Sequence, residues 1–206
     1  MALDRRNFLI AGGATVATSL IPNPMPGADV NDEAAAFIKD HVAKLRPLEV
    51  QGSIAWWNAN TTGKDEDFKK KEDAQNKIDA ALADKAKFAE LKALKEAGDK
   101  GEIDDKLTAR AINVLYLQYL EKQVEPDLLK QITSKANVVE QAFNVYRAKV
   151  DGKEITDSQV RDILKNSTDS AYRQKVWESS KGVGAIVAED LKALVKLRNT
   201  AATQLG

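Results

Sequence analysis

The 206-residue chain has no cysteine and a single histidine. The first absence excludes disulfides, thiolate zinc sites, nucleophilic cysteine chemistry and a lipidated cysteine anchor. The second excludes a metal site built from two imidazoles. An excess of either charge is also missing: 31 Lys and Arg stand against 31 Asp and Glu. With no basic surplus to neutralise a phosphate backbone, nucleic acid is disfavoured as a partner. No glycine-rich phosphate loop, Gly-x-Ser-x-Gly elbow or calcium loop occurs, and the scattered carboxylates read as a solvated helical surface. What is present is 43% hydrophobic and 30% charged residues, enough for one substantial core, as a single domain or as one lobe of something larger.

The compartment has to be read from the amino terminus. Asp4-Arg5-Arg6-Asn7-Phe8-Leu9 precedes a small-residue apolar run from Ile10 to Ile21 and a proline-rich stretch from Pro22 to Gly27. The pair Arg5 and Arg6 followed by Phe-Leu fits a twin-arginine export signal over residues 1–28, cleaved near Ala28, the alternative being the basic region of a general secretory peptide. Either signal implies a periplasmic or extracellular protein. The apolar run is short of the roughly 20 residues of a spanning helix, so membrane attachment is expected only through an uncleaved signal.

Residues 29–206 read as helix after helix. Asn31 or Asp32 can cap a first helix carrying Phe37, Ile38, Val42, Leu45, Leu48, Ile54 and Trp57, kinked by Pro47 and ending at Gly63. Asp65 can cap a highly charged second helix that runs through Lys69-Lys70-Lys71, with a thin stripe of Phe68, Ile78, Ala81 and Leu82. A third presents Phe88, Leu91 and Leu94 and stops at Gly98 and Gly101. The run Ile112 to Leu120 is apolar on nearly all sides, which predicts the most buried helix. Pro126 suits the first turn of a helix with Leu128, Ile132, Ala136, Val139, Phe143 and Tyr146 at steps of three and four. Asp151-Gly152 marks a tight hairpin. Thr156 and Gln159 form a capping box opening a short helix to Asn166. One long helix from near Asp169 to Leu205 completes the chain, weakened locally by Gly182 and Gly184. The expected fold is all-α, an antiparallel multi-helix lobe with one small β-hairpin.

Two segments carry a family likeness. Ala55-Trp56-Trp57-Asn58-Ala59-Asn60-Thr61-Thr62-Gly63 and, downstream, Val176-Trp177-Glu178 through Leu197-Arg198-Asn199-Thr200 to Gly206 resemble the amino-terminal portion of the M2 zinc metallopeptidases, the angiotensin-converting-enzyme-like peptidyl dipeptidases. The resemblance runs in order from about Glu33 to Gly206. It implies lid helices at about 31–97, core helices at about 104–206, and an oligopeptide substrate in the full-length enzyme. It also implies zinc, and chloride in animal members, held in the full-length family and not by residues of this chain. Zinc chemistry of this class needs two histidines one helical turn apart with a glutamate between them. The lone His41 supplies neither pair nor motif and reads as a surface or half-buried helix residue, so the chain is assigned no catalytic and no metal-binding residue.

By the same resemblance, Asn60 falls on an asparagine lining the substrate channel and Glu140 on a subsite glutamate, with helix capping and a surface charge as the alternatives. Lys181 stands where animal members carry a chloride-coordinating arginine, keeping the charge but not the planar fork. Trp56 replaces a second channel asparagine. The expectation is an amino-terminal fragment of an exported dipeptidyl carboxypeptidase, whose missing carboxy-terminal catalytic lobe would cover an apolar patch around Leu191, Leu194, Val195 and Leu205. The competing expectation is a non-catalytic periplasmic protein that binds peptides or a protein partner. Asn60-Thr61-Thr62 and Asn166-Ser167-Thr168 also match a glycosylation sequon, which a bacterial-type exporter does not use.

Overall fold

The computed structural model describes residues 29–206; the arginine pair and the apolar run behind it lie outside the described residues. The order of elements is α1 (Val30–Thr62), α2 (Asp65–Leu82), α3 (Lys85–Asp99), α4 (Lys106–Leu120), α5 (Pro126–Val145), β1 (Ala148–Val150), β2 (Lys153–Ile155), α6 (Asp157–Asn166), α7 (Ser170–Lys181) and α8 (Val183–Leu205). The fold is all-α with one antiparallel hairpin, as the helical spacing predicts. None of the described helices is long and apolar enough to cross a membrane.

Local signals set most of the boundaries. Asp84, Asp105 and Asp169 each accept hydrogen bonds from backbone N–H groups one turn ahead and so cap α3, α4 and α7. Thr156 and Gln159 close a reciprocal capping box on α6. Pro126 stands at the start of α5, where its missing N–H costs nothing. In the hairpin Val150 pairs with Lys153, and the two residues between them, Asp151 and Gly152, both have positive φ, at 50° and 80°. That is the type I′ turn whose twist matches paired strands.

Three apolar clusters hold the helices. The largest joins α1 through α4 and includes Phe37, Leu45, Leu91, Ile112 and Tyr119. Each such side chain withdrawn from water stabilises the fold by roughly 1.5–3 kcal/mol before entropy is counted. A second, around Val150, Val160 and the fully buried Val176, packs the hairpin onto α6 and α7. The third seats Leu128 and Leu129 of α5 against Leu197, Ala201 and Leu205 of α8.

Several expectations are corrected. Asp29, not Asn31 or Asp32, caps α1 by accepting from the Asn31 N–H. Lys64 precedes α2 without a side-chain cap, and Asp65 is its first residue. The fourth helix is not buried all round: α1 and α3 cover the side holding Ile112, Leu115 and Tyr119, whereas Leu107, Val114 and Leu117 face outward. Phe143 is exposed, and the face of α5 that meets α2 is polar rather than apolar, with Asn137 buried on it. The last helix is two helices, α7 and α8, divided at Gly182. A Cβ on Gly182 would lie 2.5 Å from the Tyr146 hydroxyl, which donates to the Ser179 carbonyl at 2.6 Å. Tyr146 occupies the space that a side chain at 182 would need. The patch expected on the final helix is also split: Leu191 and Val195 are exposed, but Leu194 is buried and Leu205 packs into the third cluster.

Candidate functional site: the end of α1 against α2 and α5

Gly63 ends α1 in the left-handed conformation, φ 69°, with its N–H on the Ala59 carbonyl. A Cβ there would meet Val145 Cγ1 at 3.3 Å and Asn144 Oδ1 at 3.7 Å. The glycine therefore serves twice: it permits the cap and lets the end of α1 approach the end of α5. That approach sets Asn60 opposite Glu140 and Asn144.

Asn60 Nδ2 donates to the Trp56 carbonyl at 2.9 Å, one helical turn back, and to Glu140 Oε1 at 3.2 Å. Asn144 Nδ2 donates to both the backbone and the side-chain oxygen of Asn60, each at 3.1 Å. The other carboxylate oxygen of Glu140 accepts from Lys71 Nζ at 2.6 Å. Lys71 also donates to Asn137 Oδ1 at 3.1 Å, and Asn137 Nδ2 reaches the Phe68 carbonyl at 3.1 Å.

The seam continues along the helix pair. Gln141 donates to Asp65 at 2.6 Å and Thr133 to the buried Asp79 at 2.9 Å. Asp79 further accepts from Gln75 and Lys122. Burial works against the charge of Lys122, but Glu121 and Asp79 outweigh it and raise its pKa. Thr62 donates to Asp67 at 2.7 Å, and with Lys70 it holds that carboxyl below its ordinary range. Residues 133, 137, 140, 141 and 144 recur at helical steps, so α5 meets α2 through one polar stripe. Among the described residues no buried side-chain nitrogen or oxygen lacks a partner.

The two residues singled out for a peptide channel, Asn60 and Glu140, are thus in direct contact. Both N–H groups of the Asn60 amide are already committed. The capacity left over is acceptor capacity: a spare lone pair on Asn60 Oδ1 and those on the Glu140 oxygens, suited to a peptide N–H. Alongside, Trp56 and Trp57 line a groove of about 550 Å³ with Glu49, Gly52, Ser53, Gln75 and Ile78. Both indoles are largely exposed, Trp57 at 64%.

Lys181 lies elsewhere, in the last turn of α7, with its Nζ 5.5 Å from the centre of the Trp177 ring. His41 lies on α1 in a cavity of about 320 Å³ bounded by Phe37, Asp40, Lys44, Lys87 and Tyr119. Its Nδ1 is 3.2 Å from the Tyr119 hydroxyl. Burial lowers its pKa from 6.5, with Glu49 pulling the other way, and burial raises that of Tyr119. No group of three His, Cys, Asp or Glu side chains able to hold a metal occurs among the described residues. The residues present do not fit zinc.

A family model described as angiotensin-converting enzyme, peptidase M2, matches residues 28–206. The chain belongs to the M2 peptidase family. No curated protein and no solved structure gives a significant match. In this M2 chain the Asn60–Glu140 contact could not be read from either residue alone; sequence reading assigns Asn137 and Asn144 no role and Lys71 only a place in a charged run. The signal for Asn137 and Asn144 was the polar stripe of α5 and that for Lys71 the charged run of α2, and by pattern alone both are indistinguishable from a solvated face.

Proposed function

We propose that this M2-family chain forms the lid and channel wall of an exported, zinc-dependent peptidyl dipeptidase, which releases dipeptides from the carboxyl end of oligopeptides. The zinc ligands then belong to sequence beyond these 206 residues, since one histidine cannot supply the paired imidazoles this chemistry requires. The observation that carries the reading is the direct contact of Asn60 with Glu140 within a chain matched to the family from residue 28 to residue 206. The wall they form offers acceptors to peptide N–H groups, and the exposed indoles of Trp56 and Trp57 offer apolar faces beside it. Export through the Arg5-Arg6 signal belongs to the same reading, because twin-arginine transport carries cargo already folded around its metal.

The test is made on the protein encoded by the complete reading frame. Chelator-sensitive release of carboxy-terminal dipeptides is expected, with Asn60→Ala and Glu140→Ala raising KM more than they lower kcat. A complete reading frame with no His-Glu-x-x-His and no such activity would refute the reading. Replacement of Arg5 and Arg6 by lysine is expected to hold the protein in the cytoplasm; normal export of that variant would refute the twin-arginine part.

A further inference from the structure

Three consecutive lysines on α2 meet different fates. The side chains of Lys69 and Lys70 are 63% and 68% exposed, that of Lys71 only 16%. Helical spacing turns Lys71 onto the face of Phe68 and toward α5. There its ammonium is held by Glu140 Oε2 at 2.6 Å, Asn137 Oδ1 at 3.1 Å and the face of the Phe68 ring, whose centre is 5.7 Å away. A carboxylate, an amide oxygen and an aromatic face around one nitrogen are the elements from which a primary-ammonium site is made. The ammonium in it is the chain's own.

Asn137 is itself fixed, its amide nitrogen held by the Phe68 carbonyl and, at 3.4 Å, by Glu72. The other oxygen of Glu140 is tied to Asn60. Phe68 is itself buried, so the cage is held on three sides, and no rotation of Glu140 frees its charge without breaking two bonds.

The geometry points to Lys71 as a specificity-determining residue: its ammonium fills a cation site on Glu140, so the Asn60–Glu140 wall presents spare acceptor lone pairs to a peptide and no free negative charge. A peptide carrying a lysine or arginine side chain, or its amino terminus, against this wall then gains no preference over a neutral one. The inference rests on Asn60 and Glu140 facing the peptide, but the cation site itself is testable without any peptidase assay.

The probe is methylammonium titrated into the 206-residue chain at constant ionic strength, read by NMR from the side-chain amide signals of Asn60 and Asn137. Tetramethylammonium, which cannot donate a hydrogen bond, is the control. Wild type is expected to show no saturable shift. Lys71→Met, which keeps the buried stem and removes the charge, is expected to bind methylammonium at least about tenfold more tightly than wild type, and Lys71→Met/Glu140→Gln is expected to lose the site again. Equal response of wild type and Lys71→Met would overturn the inference, as would a tetramethylammonium response of the same size.

A wild-type measurement stands beside this one in case Lys71→Met does not fold. The Lys71 ammonium protons are expected to exchange with water at least about tenfold more slowly than those of Lys69 and Lys70, and equal exchange would overturn the cage. Lack of peptidase activity in the complete protein would remove the substrate role of the wall and leave both NMR readouts unmoved, so the two failures are distinguishable.

Discussion

Asn60 and Glu140, 80 residues apart in sequence, share a hydrogen bond of 3.2 Å that ties the last turn of α1 to α5. The bond is one link of a chain that continues through Lys71 to Asn137 and Phe68. A break at either end strands a half-buried polar group. Asn60→Asp puts a second carboxylate against Glu140 and removes the donor, and is expected to lower unfolding free energy by about 1–3 kcal/mol in urea denaturation, whereas a surface substitution such as Asp73→Asn should leave it within about 0.5 kcal/mol. Equal midpoints for the two variants would contradict the clasp.

Asn137 is the buried polar residue at the centre of the seam. Asn137→Leu leaves the Phe68 carbonyl and the Lys71 ammonium each short of a partner, for an expected loss of about 1–3 kcal/mol despite added apolar volume. If the variant matched or exceeded wild-type stability, the seam would not depend on this amide.

Tyr146 approaches Gly182, at the boundary of α7 and α8, too closely for a side chain there. Gly182→Ala would place a Cβ 2.5 Å from the Tyr146 oxygen and should cost about 1–3 kcal/mol. Tyr146→Phe removes that oxygen, leaving the nearest ring carbon about 3.5 Å away. The double variant is therefore expected to be more stable than the sum of the two single losses allows. A strictly additive double-mutant cycle would contradict the contact.

The pH dependence centres on His41. The Nδ1 of His41 lies within hydrogen-bonding distance of the Tyr119 hydroxyl, at 3.2 Å, and burial holds the imidazole pKa in the folded state below 6.5. The folded chain therefore binds fewer protons than the unfolded chain at this site. Its stabilising share is complete above pH 6.5 and is lost as pH falls through the folded value. Asp40 and Lys44 of α1, Lys87 of α3 and Tyr119 of α4 line the same cavity, and Glu49 of α1 favours the charged imidazole. His41→Gln is expected to flatten the stability profile between pH 7.5 and about 5; an unchanged slope would assign the titration to other groups.

Much of the fold was legible because its signals are local. Gly63, Pro126, the Thr156 and Gln159 box and the Asp151-Gly152 turn each require a particular residue at a particular backbone angle or cap. The misreadings arose where distant partners decide. The outer face of α4 looks like core by composition, but no described element covers Leu107 or Leu117. Glycine at 182 only weakens a helix in isolation, and the close approach of Tyr146, which leaves no room for a side chain there, comes from a residue distant in sequence. The candidate site was half legible: family likeness pointed to Asn60 and Glu140, but their contact and its Lys71 support depend on how α2 packs against α5.

The exposed apolar side chains of α8 lead to a different expectation. Ile186, Leu191 and Val195 are exposed while Leu194, between them, is buried. Leu191→Lys with Val195→Lys should reduce apolar-dye binding and self-association and shift stability by no more than about 0.5 kcal/mol. Leu194→Ala should instead cost about 2–5 kcal/mol. The reverse ranking in denaturation would show that the helix is rotated from the arrangement described.

The most direct measurement is metal content and dipeptide release, made side by side on the purified 206-residue chain and on the product of its complete reading frame. We expect the 206-residue chain to hold no stoichiometric zinc and to release no dipeptide, and the complete product to do both in a chelator-sensitive way. One zinc per molecule with chelator-sensitive dipeptide release from the 206-residue chain alone would contradict the assignment of this helical lobe to lid and channel wall.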